Sequence, residues 1–184
     1  MYNIIMKYQD IPRFFEPPRY CITSQWDHIE HVLENWNDHE TPGALGLNLD
    51  PDFQRGHVWT EDKQIAYVEY CLKGGEAARE LLFNHPNWMT SFKGEMVLVD
   101  GKQRLEAVRK FVRNDLAIFG DNYLNDFDHP KRLLRSTSLL FRVNNLKTRK
   151  DILTWYLQLN TGGVVHTDEE IDKVKVLLAI ELKK

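Results

Sequence analysis

The 184-residue sequence predicts a single domain of the α+β class, and three observations carry that expectation. Short apolar runs of strand length, such as residues 80 to 84 and 95 to 99, are interleaved with stretches whose apolar residues recur at helical spacing. Turn formers separate them, with no internal repeat or low-complexity tract. Hydrophobic content of 42% and aromatic content of 11% suffice for one core and leave little for a second independent domain.

In chain order, residues 1–18 end in the proline-rich run before Arg19 and read as an extended lead-in to a short strand at residues 20 to 23. Ser24 with Asp27 reads as an N-cap box, and Trp26, Ile29, Leu33 and Trp36 then share one helical face as far as Asn37. Residues 39 to 59 carry turn formers for a long loop or short irregular strands. Thr60 caps a second helix, with Ile65, Val68 and Leu72 inward and Gly74-Gly75 as its stop. Two strands follow at 80 to 84 and 95 to 99, joined by a tryptophan-bearing connection. The next helix, following Arg104, carries Leu105, Val108, Phe111 and Val112 and closes near Asn114. A strand is expected at 116 to 119, then an acidic loop, then a strand at 138 to 143. Thr148 with Asp151 caps a helix to Leu159, and Thr167 with Glu170 caps a last one with Ile171, Val174 and Leu178 inward.

Net charge of −3 and a pI near 6.2 argue against a surface that clings to nucleic acid as a whole. The two cysteines, Cys21 and Cys71, stand in apolar company without zinc or disulfide spacing and read as buried thiols. The N-terminus is too polar for a signal peptide and no run is long enough to span a bilayer, so a cytoplasmic protein of a bacterium or an infected cell is the expectation. His28 and His31 share a helical face without a third ligand, His85 and His129 read as loop residues, and no serine elbow or catalytic Cys/His pattern occurs.

The chemistry concentrates where the strand Met96 to Val99 meets the following helix, at Asp100-Gly101-Lys102-Gln103-Arg104. A glycine turn ahead of a helix aims unpaired N–H groups and the positive end of the helix dipole at whatever lies in front of it. Lys102 and Arg104 add positive charge, Gln103 adds an amide that donates and accepts, and Asp100 supplies a carboxylate for a metal or a proton. The bland alternative is a turn followed by a solvated helix start, although cations in a first helical turn oppose the dipole. No Walker or G-x-G-x-x-G pattern is present. Two further stretches stand out. Gln54, Arg55 and His57 lie between Phe53 and Trp59, and Arg55 is either a phosphate clamp or an arginine packed on an indole. Asn160 and Thr161 precede two glycines, suited to a loop that admits a ligand or to a plain helix end.

In that order and in one chain, these three segments resemble the nucleotide-binding N-terminal domain of GmrSD-type restriction endonucleases. That family is marked by a D-G-Q-Q-R motif and belongs to the ParB/sulfiredoxin-like superfamily. Its early P-x-F-Q-R-x-x-V-W element is matched by Pro51, Phe53, Gln54, Arg55, Val58 and Trp59. The central motif is matched by Asp100, Gly101, Gln103 and Arg104, and the later N-x-G-G element by Asn160, Thr161, Gly162 and Gly163. The resemblance spans roughly residues 15 to 180. It implies binding, and possible Mg²⁺-dependent hydrolysis, of a nucleoside triphosphate (NTP) in a defence, counter-defence or DNA-transaction setting. Carried over, Asp100 is the metal- or water-orienting carboxylate, Gln103 a positioning group and Arg104 the phosphate clamp. Gln54, Arg55, Gly101, Lys102 and Asn160 would line the nucleotide site. Lys102 stands where the family usually has glutamine, which keeps phosphate affinity and leaves base choice and turnover open. No HNH nuclease constellation follows, so any DNA cleavage is expected of another component.

Seven basic residues and no acidic one lie between Lys131 and Lys150. Arg142, Lys147 and Arg149 are therefore candidates for a DNA-facing or protein-facing surface, against the alternative of a solvated face. A non-enzymatic binding module is the second reading, and a nuclease drawing on carboxylates such as Asp52 and Asp100 the third.

Overall fold

The computed structural model describes residues 18–37, 45–54, 56, 58–161 and 168–183. Its fold is α+β, built on a five-stranded mixed sheet of order β1-β5-β3-β4-β2. The strands are β1 (Tyr20–Gln25), β2 (Leu47–Asn48), β3 (Glu80–Asn84), β4 (Met96–Asp100) and β5 (Ser138–Asn144). The α-helices are α1 (Ile29–Asn37), α2 (Glu61–Leu72), α3 (Lys102–Val112), α4 (Pro130–Arg135), α5 (Arg149–Thr161) and α6 (Asp168–Glu181). β3 runs parallel to β5 and antiparallel to β4, β1 pairs antiparallel with β5, and β2 pairs parallel with β4.

β4 explains why the sheet is covered on both faces. Side chains of a strand alternate between faces, and in β4 both sets are apolar. Met96 and Leu98 join Leu81, Phe83, Leu139 and Phe141 in the larger core, which α1, α2 and α3 close with Ile29, Leu33, Val68, Val108 and Phe111. Val97 and Val99 point the other way, into a second core completed by Phe53, Leu153, Trp155, Tyr156 and Val174. The strand therefore ends between two packed layers, and its last residue, Asp100, emerges half-exposed beside the start of α3.

Several expectations on the elements need correction. Ser24 caps nothing: its backbone belongs to β1 opposite Leu139, and a 3-10 turn at Trp26–His28 leads into α1 instead. Residues 116 to 119 form no strand. Leu116 and Ile118 are buried, but the chain reverses through Phe119 (φ 49°) and Gly120 (φ 92°), leaving one isolated bridge from Ile118 to Asn122. α4 lies where the sequence pattern predicts no element, and α3 begins at Lys102, so Lys102, Gln103 and Arg104 form its first turn. Cys71 is buried, whereas Cys21 is exposed on β1. His85 does sit in a loop but is fully buried, packed against Trp88 and Phe92. The Thr148 cap forms as expected: its hydroxyl accepts the Asp151 N–H at 3.1 Å and donates to the Asp151 carboxylate at 2.6 Å. The lead-in as far as residue 17, Arg55, His57, Gly162, Gly163 and Thr167 lie outside the described residues.

Candidate functional site

Gly101 makes the turn from β4 into α3. Its φ of +102° is a left-handed conformation that glycine adopts without a steric penalty. Space gives a second requirement, because a Cβ at this position would stand 2.4 Å from Leu81 Cδ2 and 3.2 Å from an Arg104 guanidinium nitrogen. The close approach seats the helix start against β3. No side chain caps α3, and its first intrahelical bond runs from the Leu105 N–H to the Gly101 carbonyl at 2.9 Å. The amides of Lys102, Gln103 and Arg104 consequently have no partner within the helix, and the positive end of the dipole faces outward.

A cleft of about 70 Å³ opens there. Gln54, Asp100 to Arg104 and Asn160 all line it, so described residues of three segments widely separated in sequence meet at one place. Val99, Trp59 and Tyr156 complete its walls. Trp59 and Tyr156 are not among the site candidates of the sequence, although Trp59 closes the early motif and Tyr156 lies one helical turn before Asn160 on α5. That spacing was the available signal. Tyr156 is held edge-on to Phe53 at 5.2 Å, which fixes the early segment against α5.

The two glutamines hold the wall. β2 stops opposite Val97, and the Gln54 side chain donates to the next backbone carbonyl along β4, that of Leu98, at 2.6 Å. Gln103 is buried on α3. Its Oε1 accepts the N–H groups of Val58 and Trp59, each at 3.1 Å, and its Nε2 donates to the Gly56 carbonyl at 3.1 Å. A carboxamide has two lone pairs and two N–H groups, so one N–H remains for a ligand. In this geometry Gln103 positions the loop that forms the cleft wall.

The charged residues are arranged as two ion pairs. Arg104 Nη2 donates to the Asp100 carboxylate at 2.6 Å and to the Glu80 carbonyl at 3.0 Å, while its Nε is buried with no hydrogen-bond partner among the described residues. Lys102 Nζ contacts Asp50 at 2.5 Å, and Asp50 is 77% exposed. Asn160 donates to the Tyr156 carbonyl one helical turn back, at 2.7 Å. Among the described residues no three His, Cys, Asp or Glu side chains gather into a metal cage. Asp100 and the Asn160 amide offer oxygen donors within one cleft, a set that suits a hard cation such as Mg²⁺, which takes only one or two protein carboxylates alongside phosphate oxygens.

The basic candidates lie elsewhere and are engaged. Arg142, in β5, binds Glu80 through Nε at 2.8 Å and Nη2 at 2.6 Å, and this carboxylate raises its pKa. Arg149 grips both oxygens of Asp52 at 2.8 and 2.7 Å, and Lys147 donates to the Pro86 carbonyl. Among the described residues no helix is long and apolar enough to cross a membrane. Comparison with family models, with curated proteins and with solved structures finds no match to the chain.

Proposed function

We propose that the cleft at the start of α3 binds the phosphates of a nucleoside triphosphate, in a ParB/sulfiredoxin-like domain of the D-G-Q-Q-R type acting in defence, counter-defence or DNA transactions. One observation carries this reading: Gln54, Asp100 to Arg104 and Asn160, far apart in sequence, line a single cleft in front of an uncapped helix start. The amides of that turn are oriented for an anion, and Lys102 adds a charge that reaches the same point. Arg104 exchanges its bond to Asp100 for a phosphate oxygen, using a planar fork that suits such oxygens. Asp100, so released, orients water or holds Mg²⁺, and the Gln103 N–H that the loop does not use is a further donor at the cleft. Mg²⁺, when bound, would neutralise phosphate charge. Hydrolysis in such a site proceeds by positioning and charge stabilisation, without a covalent intermediate on the protein.

A second reading, a non-enzymatic module that retains the fold and docks onto protein or DNA, is favoured by the state of the cations: Lys102 and Arg104 are each already neutralised by a carboxylate. Calorimetric titration with the four triphosphates, with and without Mg²⁺, followed by phosphate-release measurement, separates the two. Saturable binding weakened about tenfold or more in Arg104→Ala and in Lys102→Ala supports the site, since a charge-assisted hydrogen bond contributes about 1.5–3 kcal/mol. Lys102 contacts an exposed partner, so its variant keeps the fold even where Arg104→Ala loosens it. Unchanged affinity in both variants, or no binding by the native protein, rules the reading out.

A further inference from the structure

We infer that the groove flanked by α1, β2 and α3 receives the nucleoside of the same triphosphate, so that the ligand lies along α3 with its phosphates at the helix start. The inference rests on the phosphate reading above and assigns the part of the ligand that the cleft cannot hold. A cleft of about 70 Å³ has no room for a nucleoside, whereas the groove offers about 480 Å³. Sites for small organic ligands span about 300–1,000 Å³.

The two spaces meet at one contact. Lys102 lines the cleft, Asp50 lines the groove, and their side chains touch at 2.5 Å. The helix continues the path, because Lys102, Glu106, Arg109 and Arg113 recur at i, i+4, i+7 and i+11 and share one face, and Arg109 and Arg113 line the groove.

Charge sets the direction in which a nucleotide lies. Both groove arginines are committed to Glu30, Arg109 through Nε at 2.7 Å and Arg113 through Nη2 at 2.7 Å. Although burial opposes ionisation of Glu30, these two hydrogen bonds hold its carboxyl below the ordinary range, so the triad stays charged and closed. Glu34, Asp50 and Glu95 then leave the lining acidic, which repels phosphate. The same carboxylates accept N–H and O–H groups of a base and a ribose, while Leu33, Leu47 and Leu49 provide an apolar floor for a ring. Asp50 is exposed enough to swing from Lys102 to a ribose hydroxyl as Lys102 turns to phosphate.

Titrations with inorganic tripolyphosphate and with nucleoside triphosphates test the assignment on the native chain, Leu49→Trp, Glu34→Ala and Arg104→Ala. Filling the groove with Leu49→Trp should weaken nucleotide binding about tenfold or more while leaving tripolyphosphate within about twofold. Glu34→Ala should act in the same sense by a few fold, and its exposed position keeps the test valid where Leu49→Trp disturbs the fold. Arg104→Ala should weaken both ligands. Equal losses for both ligands in the groove variants, or no loss for either, overturn the nucleoside assignment alone. A native protein that binds neither ligand overturns the phosphate reading and this inference together.

Discussion

Lys102 and Arg104 on one side, and Arg142 and Arg149 on the other, are all paired with carboxylates, yet the two sets occupy different surroundings. Arg142 lies within β5, next to Glu80 of the neighbouring strand, and Arg149 stands at the start of α5 with both oxygens of Asp52 against it. In those pairs each carboxylate is the arginine's standing partner. Lys102 and Arg104 instead stand around the open end of a helix, where an incoming anion finds free amides as well as the two cations. The released carboxylates have somewhere to go, Asp50 to water and Asp100 to the cleft. Sequence position misleads about this difference. The seven-cation run from Lys131 to Lys150 looks unopposed, but acids from 62 to 108 positions away neutralise Arg135, Arg142 and Arg149. Among the described residues only Lys131, Arg132, Lys147 and Lys150 of that run make no ion pair.

The largest expected effect comes from closing the open turn. Gly101→Val combines a left-handed φ with overlap onto Leu81, and should cost about 3 kcal/mol, or about 10 °C in thermal midpoint. Gly74→Ala is the control: its φ is +92° but nothing lies within 4 Å of the added Cβ, so a loss near 1 kcal/mol is expected. Equal midpoints for the two variants would remove the special status of the Gly101 turn. Next, Gln103→Leu strands the N–H groups of Val58 and Trp59 and the Gly56 carbonyl, and should lower stability by about 2 kcal/mol in denaturant titration.

A smaller effect reads the basic segment through pH. Burial holds the His85 pKa below its ordinary value of about 6.5, and the positive charge of Lys147 adds to that lowering. The unfolded chain binds this proton more readily, so the stability contributed by neutral His85 is complete above about pH 6.5 and is lost as pH falls through the lowered folded value. His85→Gln should flatten the fall in melting temperature on acidification below pH 6.5, and Lys147→Gln should shift that fall upward only slightly in pH midpoint. The Glu30 contribution is lost only below about pH 4.5, whereas the His85 contribution already begins to fall at about pH 6.5. Smallest of all, the double variant Arg142→Gln/Arg149→Gln should change stability by less than about 1 kcal/mol per pair and leave triphosphate affinity unaltered. A marked loss of affinity in that variant would erase the distinction between the two sets of cations.

Much of the fold was legible because its strongest elements obey single rules. β4 and α3 have uninterrupted apolar patterns, and the Thr148 cap is a local hydrogen-bond exchange that needs no tertiary context. Ser24 misled because its capping box competes with a strand partner 115 positions away, and pairing with β5 wins. Residues 116 to 119 misled because two buried side chains can be supplied by a reversing loop as well as by a strand. α4 is short, opens on Pro130 and buries only Leu134, too little periodicity to register. In the site, the convergence of Gln54, Asp100 to Arg104 and Asn160 followed from their motifs, but Asp50 as the partner of Lys102 did not, since loop closure between distant residues leaves no local trace. The role of Gln103 was partly readable: it stands one turn before Ala107 and two before Phe111, both buried, so its helical phase already points inward.

The single oxygen by which Gln103 holds two successive amides has a kinetic corollary. The Val58 and Trp59 N–H groups cannot pair with water while that carboxamide stays in place, and the carboxamide is carried by the opening turn of α3. Loop and helix start therefore share one protecting contact, and anything that steadies the turn is expected to raise the hydrogen-exchange protection of both amides together.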